Sequence, residues 1–257
     1  MRFLFFGVSA LRKTIAQIVG YGVVGKAQAF LMKSLGFEVV AYDPEAIPGS
    51  RIHRNVDVTF ICVPEWSVES VVDELCRLKV EGLYVIKSTV PVGTTEKLME
   101  KHKIHICHNP EFLREKQAFE DVMNPDRVVI GQCCEAHGRM LMDIYSKLGK
   151  PIYVTTPRTS ELVKLVSNAH LAMLITFWNV VAELADKLNV NIRELAEMVV
   201  ADRRISKYGT AKFGEPFGGK CLPKDLDHLI NCFHSAGLNP TVFEAVKAYN
   251  SRLSAER

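Results

Sequence analysis

The chain has 257 residues, 48% hydrophobic and 24% charged, enough for one large or two moderate packed domains and too balanced for a disordered or fibrous protein. A net charge of +3 with no long basic run argues against a nucleic-acid partner, leaving room only for a basic pocket that takes a phosphorylated substrate. The cysteines (Cys62, Cys76, Cys107, Cys133, Cys134, Cys221, Cys232) are odd in number, scattered and without a CxxC pair. That pattern excludes a disulfide framework and fits reduced thiols in a cytoplasmic protein.

Met1-Arg2 followed by Leu4-Phe5-Phe6-Gly7-Val8 mimics a short signal sequence. The apolar run is brief and no cleavage site follows, so it reads as an extension before the first strand. A strand is predicted over 14–20, a helix over 23–35 closed by Gly36, and a strand over 38–42 that ends at Asp43. Strands follow at 58–63 and 83–87 with a helix at 67–78 between them, then a helix at 96–102 and a strand at 104–107. Strands at 127–130 and 152–154 flank a helix at 135–148. Strands alternating with helices predict an α/β fold with a doubly wound, parallel, Rossmann-type sheet.

The pattern changes after Thr156-Pro157. Residues 160–188 carry no firm breaker and predict one long helix, suited to a central strut or a dimer seam. Asn179 interrupts its most apolar stretch, so no membrane span is expected. Further helices at 191–200, 225–236 and 241–257, with a loop at 207–219, make the second region an all-helical central domain. The expected boundaries are therefore 1–157 and 158–257.

The segment Gly20-Tyr21-Gly22-Val23-Val24-Gly25 follows a predicted strand and opens a predicted helix, as dinucleotide binding requires. One glycine makes the tight turn, one admits the pyrophosphate, and one lets the helix pack closely. Asp43 ends the next strand, where a carboxylate holds ribose hydroxyls and repels a 2′-phosphate. NAD is therefore expected over NADP, on Gly20, Gly22, Val23, Val24, Gly25 and Asp43.

The second informative stretch is Phe217-Gly218-Gly219-Lys220-Cys221-Leu222-Pro223-Lys224-Asp225. Pro223 suits the first turn of a helix, which places Cys221 beside exposed backbone N–H groups and a helix dipole that favour the thiolate. Lys164 and Asn168 are four residues apart, hence on one face of the long helix. Spacing alone leaves a catalytic pair and a solvated stripe equally open. His102, His105 and His108 look like a cluster, but odd separations along a strand put neighbours on opposite faces, and no metal site is expected.

Five ordered segments resemble the UDP-glucose/GDP-mannose 6-dehydrogenase family: Ser88-Thr89-Val90-Pro91-Val92-Gly93-Thr94, Asn109-Pro110-Glu111-Phe112-Leu113-Arg114-Glu115, Pro125-Asp126-Arg127-Val128-Val129-Ile130-Gly131, Glu161-Leu162-Val163-Lys164 with Asn168, and the stretch around Cys221. The resemblance runs from about Ile15 to the C-terminus. It implies an NAD-dependent, four-electron oxidation of the C6 alcohol of a nucleotide sugar, UDP-glucose first and GDP-mannose second, in polysaccharide biosynthesis. Cys221 would be the covalent nucleophile, with Lys164 and Asn168 at the C6 oxygen. Glu111 would transfer a proton or activate water, Asp225 would orient Lys224, the thiol or a water, and Thr89 would hold a water. The resemblance adds Pro64, Thr89 and Glu115 to the cofactor set. It assigns Phe112, Leu113, Arg114, Lys164, Asn168, Arg204, Phe217 and Gly218 to the substrate, and it implies a homodimer through the long helix.

Two features depart from the family. Only fourteen residues separate Asp43 from Val58, where the family usually inserts a helix and a long loop. The family usually carries a third, nucleotide-binding domain beyond 241–257, where this sequence ends. An NAD-binding partner or regulatory subunit is therefore the alternative to an active enzyme.

Overall fold

A computed structural model describes residues 13–219 and 221–256. The expected N-terminal extension lies outside the described residues. The chain divides into two compact units, one up to Glu161 and one from Leu162.

In the first unit, strands β1 (Ile15–Val19), β2 (Glu38–Tyr42), β3 (Val58–Ile61), β4 (Leu83–Ile86), β5 (Ile106–His108), β6 (Val128–Gly131) and β7 (Ile152–Thr155) form one sheet in the order β2-β1-β3-β4-β5-β6-β7. The central strands β3 and β4 are buried along their whole length, so they read as apolar runs without alternation. Helix α1 (Val23–Ser34), α4 (Ala118–Met123) and α5 (Glu135–Ser146) cover one face, where Ile18, Leu31, Phe60, Ile130 and Leu141 share a core. Helix α2 (Val68–Arg77) and α3 (Thr94–His102) cover the other, around Val72, Leu75, Ile61, Ile86 and Leu98. On α2 the buried residues Val68, Val72 and Leu75 recur at helical spacing, and each fully buried aliphatic side chain contributes roughly 1.5–3 kcal/mol. Gln17 is buried among these strands because its amide is satisfied: it donates to Thr59 Oγ1 (3.2 Å) and accepts from the His53 N–H (2.7 Å).

The sheet is not wholly parallel. β5 and β6 pair antiparallel through His108 and Gly131, while every other recorded pair is parallel. The chain between them turns back through a 3₁₀ turn (Glu115–Gln117) and the six-residue α4, two short elements for which the sequence predicts nothing. α4 lies against α1, with the Phe30 and Phe119 rings 5.4 Å apart, instead of crossing over to make a parallel pair.

Helix α6 (Pro157–Lys187) starts three residues before the predicted point, since Pro157 has no N–H to lose at the first helical position. Among the described residues it is long and apolar enough to cross a membrane by length and composition. Its buried Ser160, Glu161, Lys164, Asn168, Thr176 and Asn179 mark it as a helix packed inside protein. Beyond Leu162 the second unit is helical: the rest of α6, α7 (Ile192–Val199), α8 (Leu222–Ser235) and α9 (Thr241–Ala255). Trp178, fully buried, packs edge-on to Phe177 and Phe213, and Phe233 meets Phe243 across α8 and α9 at 5.3 Å.

Candidate active site

Within the first unit the predicted residues collect beyond the carboxyl ends of the parallel strands. Gly20 follows β1, Asp43 follows β2, Pro64 follows β3, Thr89 follows β4 and Glu111 follows β5. β1 sends its neighbours to opposite sides, β2 to one and β3 to the other, which makes the β1/β3 crevice the topological switch point where such sheets bind ligands.

The glycine turn is built for close approach. Gly20 has φ of +88°, and a Cβ there would lie 2.8 Å from the Cys62 carbonyl across the crevice. A Cβ on Gly25 would fall on the Gly20 carbonyl oxygen. Gly22, the N-cap of α1, has open space around it and no side-chain cap, and the first turn of α1 holds no acidic residue. An anion is favoured at such a helix start, next to Val23 and Val24, so the residues fit a dinucleotide pyrophosphate. A Gly25→Ala chain is expected to lose about 2–4 kcal/mol, read as a lower denaturation midpoint.

Asp43 is fixed by its own turn. Its Oδ1 accepts from the N–H groups of Ala46 (2.9 Å) and Glu45 (3.0 Å), and its Oδ2 accepts from the Tyr21 N–H (2.7 Å) inside the glycine segment. The Ala46 N–H above all holds its carboxyl below the ordinary carboxylate range; burial opposes this, and the Tyr21 and Glu45 N–H groups add to it. The charge therefore faces the crevice in a set direction.

The segment after β5 rests on a buried polar network that the sequence did not reveal. Asn109 accepts at Oδ1 from Lys87 Nζ (2.7 Å) and Tyr145 Oη (2.6 Å) and donates from Nδ2 to the Val129 carbonyl (2.7 Å). Burial pushes the Tyr145 hydroxyl pKa up, keeping it a donor. Glu111 Oε2 accepts from the Leu113 N–H (2.6 Å), and the Arg127 guanidinium sits 4.1 Å over the Phe112 ring. Arg114 is exposed and paired with Asp121 (Nη2 to Oδ1, 2.5 Å), and Glu115 is exposed at the start of the 3₁₀ turn. Thr89 and Pro64 follow β4 and β3, Thr89 half-buried and Pro64 exposed.

The second unit holds the thiol group of residues. Cys221 is exposed and is the N-cap of α8, with a proline in the first turn. Helix α8 starts at Leu222, three residues before its predicted start. Asp225 lies fully buried in that first turn: its N–H donates to the Cys221 carbonyl (2.9 Å), and its Oδ2 accepts from Asn168 Nδ2 (2.5 Å). Lys224 Nζ stands 2.9 Å from Asp225 Oδ1, a charge contact without hydrogen-bond alignment, and that oxygen has no hydrogen-bond partner among the described residues. Lys164, one turn before Asn168 on α6, is buried, which removes the solvated-stripe reading for both. Phe217 is buried and held at both backbone groups by Asn250 (2.8 and 3.0 Å), while Gly218 is exposed. Arg204 is exposed and pairs with Asp202 (2.5 Å).

Two buried polar residues carry structure that the sequence reading missed. Asn179 donates to the Glu215 carbonyl (2.7 Å) and accepts from the Gly214 N–H (2.9 Å), anchoring the loop that leads to Phe217. Glu161 accepts from the N–H groups of Gly93 (2.5 Å) and Thr95 (2.8 Å) and from Thr95 Oγ1 (2.6 Å), capping α3 from the start of α6.

Residues 48–149 match the NAD binding domain of the UDP-glucose/GDP-mannose dehydrogenase family, and residues 158–252 match its central domain. The UDP-glucose 6-dehydrogenase of Rickettsia typhi is 31% identical over 281 residues; the match takes in 89% of this chain and 64% of that protein's length. The UDP-glucose dehydrogenase of Pyrobaculum islandicum superposes with a TM-score of 0.86 at 30% identity, over 96% of this chain and 70% of that one. A GDP-mannose dehydrogenase from Pseudomonas aeruginosa superposes with a TM-score of 0.67 at 26% identity, over 93% and 68%. With both domains matched in order, and a glycine turn ahead of them that fits a dinucleotide, the chain belongs to the UDP-glucose/GDP-mannose dehydrogenase family, and NAD is its cofactor.

Proposed function

We propose that this chain supplies the NAD-binding and thiol machinery of a nucleotide-sugar 6-dehydrogenase, residues 1–157 serving the cofactor and 158–257 the covalent chemistry. The reaction is oxidation of the C6 alcohol to a carboxylate, UDP-glucose to UDP-glucuronate. One observation carries this reading: the exposed Cys221 caps a helix whose first turn holds Asp225, itself bonded to Asn168 on the helix that carries Lys164.

NAD, when bound, accepts the hydride released in each of the two oxidations. In the first, the C6 hydroxyl passes its proton by way of Glu111 to solvent as the hydride leaves, and the Lys164 ammonium and Asn168 amide stabilise the negative charge that develops on oxygen. The Cys221 thiolate, favoured by the helix N-terminus, then adds to the aldehyde carbon while the carbonyl electron pair moves to oxygen. Protonation of that oxygen gives a thiohemiacetal. Loss of its hydroxyl proton and a second hydride leaves a thioester. Water held by Thr89 or oriented by Asp225 and deprotonated by Glu111 adds to the thioester, the C–S bond breaks, and the uronate and free thiol result.

Asp43 takes the ribose hydroxyls, with Pro64 and Glu115 beside the cofactor. Phe112, Leu113, Arg114, Phe217 and Gly218 bind the nucleotide sugar, and Arg204 reaches the substrate of a second subunit. A homodimer is supported by the exposed apolar row Leu162, Val166, Phe177, Val180 and Leu184 on α6. We place the protein in the cytoplasm, where its free thiols stay reduced.

An Asp43→Asn chain should bind NAD roughly tenfold more weakly by calorimetry, having lost charged acceptors for the ribose. The function itself is tested with a panel of nucleotide sugars, following NADH at 340 nm (~340 nm, the usual reduced-nicotinamide band). Turnover of UDP-glucose supports the reading. Turnover of GDP-mannose alone would move the substrate, and NAD binding without turnover of any sugar would favour a non-catalytic partner role.

A further inference from the structure

One cluster of ligating side chains lies away from the glycine crevice and plays no part in the proposed reaction. His105 stands just before β5, Cys133 and Cys134 follow β6, and His137 sits in the first turn of α5. Their donor atoms all lie within 4.8 Å of one another. His137 Nδ1 is 3.3 Å from Cys133 Sγ and 3.2 Å from Cys134 Sγ, and the His105 and His137 rings meet at 4.8 Å. Three of the four are half-buried and His105 is exposed, so the pocket is sheltered yet open to an entering ion.

We propose that His105, Cys133, Cys134 and His137 form a structural site for a thiophilic divalent cation, zinc above all. A tetrahedral Zn²⁺ with sulfur ligands at ~2.3 Å and nitrogen ligands at ~2.0–2.1 Å holds its donors about 3.3–3.8 Å apart. The two imidazole–thiol contacts are already at that scale, and the remaining donors close by about 1.5 Å at most. Two thiolates and two neutral imidazoles neutralise a dication, which lets the site sit half-buried without a net charge. Cys134 is the N-cap of α5, which sets its thiol beside His137 in the first turn of that helix. The buried Cys107 thiol, 3.6 Å from Cys133 Sγ, can donate to that ligand and orient it. Hard cations such as Mg²⁺ and Ca²⁺ take oxygen ligands and do not suit this set.

The placement explains what such an ion would do. The ligands straddle the antiparallel β5/β6 seam, which is recorded at a single residue pair, His108 with Gly131. Continuing that register sets Cys134 opposite His105, so a metal would clamp the seam three residues beyond its recorded backbone pairing. The site lies at the amino end of β5, opposite the end that carries Glu111, which makes its role structural and separate from the reaction.

The test uses the full chain, reduced and stripped of metal by a chelator, then titrated with Co²⁺ alone. One equivalent should bind with the intense visible bands of a tetrahedral ion and a thiolate-to-cobalt charge-transfer band, and Zn²⁺ should displace it and raise Tm. A Cys133→Ser/Cys134→Ser chain should lose the bands. A His105→Ala chain, altered at an exposed position that the fold tolerates, should bind roughly tenfold more weakly or worse. Cys221→Ser should leave the spectrum unchanged. The proposal fails if the bands survive in the double variant or in His105→Ala at full affinity, if they vanish in Cys221→Ser, or if the freshly isolated chain carries a Cys107–Cys133 disulfide and takes up no metal.

Discussion

A Cys221→Ser chain is expected to bind NAD with unchanged affinity and to lose at least about 10³-fold in conversion of the nucleotide sugar to the acid. The physical reason lies in the second oxidation. An aldehyde has no hydride to give until a nucleophile has added to it, and a serine hydroxyl is far less ionised near neutral pH than a thiol at a helix N-terminus. Cofactor binding should be untouched because the residues assigned to it, the glycine turn with Asp43, Pro64, Thr89 and Glu115, do not include Cys221. Product analysis by chromatography, beside NAD titration by fluorescence, separates the two effects. Full conversion to the acid by Cys221→Ser would remove the covalent step from the account.

A large effect on stability is also expected at Glu161. Its carboxylate satisfies two backbone N–H groups and one hydroxyl at the start of α3, and it is fully buried. Glu161→Ala leaves all three donors without an acceptor, so a loss of about 3 kcal/mol is expected in chemical denaturation. Glu161→Gln keeps one acceptor oxygen and should lose less. Burial raises the Glu161 carboxyl pKa above its ordinary 4.5, against the opposing pull of the bonds from Thr95 and Gly93. Because the folded value lies above the unfolded one, this contribution to stability is complete below the unfolded pKa. It is lost as pH rises through the folded value. Denaturation midpoints taken from pH 4 upward (a start near the ~4.3 of an unperturbed glutamate) should therefore fall less steeply in Glu161→Gln than in the parent. An equal slope in both chains would show that Glu161 is not the titrating group.

Much of the fold was legible because its signals are local. The glycine turn carries a spacing that its own geometry demands, Gly25 lying against the Gly20 carbonyl, and Asp43 sits one strand away in a unit whose geometry is repetitive. α6 was legible because no breaker interrupts it, although Pro157 moved its start. The antiparallel β5/β6 seam was not, since a short apolar strand carries no mark of its direction. α4 was missed because six residues are too few to show a helical period.

In the candidate site, what the sequence hid is long-range pairing. Asn109 stood in the sequence only as the first residue of a family-like segment, yet its amide joins Lys87, Val129 and Tyr145, residues 20 to 36 positions away. Asn179 looked like an interruption of an apolar helix and is the anchor of the loop before Phe217. The histidines were weighed along one strand, where they cannot converge. His105 instead meets cysteines that arrive across the seam, from a strand the sequence had placed in the opposite direction. Lys164 and Asn168 show the reverse case: spacing put them on one face, and burial decided between the two readings of that face.

The central claim is that one active centre removes four electrons from a single alcohol carbon by way of the Cys221 thiol. The direct measurement is the amount of NADH formed per UDP-glucose consumed by this chain. The account predicts two NADH for each sugar, with UDP-glucuronate as the product; one NADH per sugar, with the aldehyde released, would contradict it.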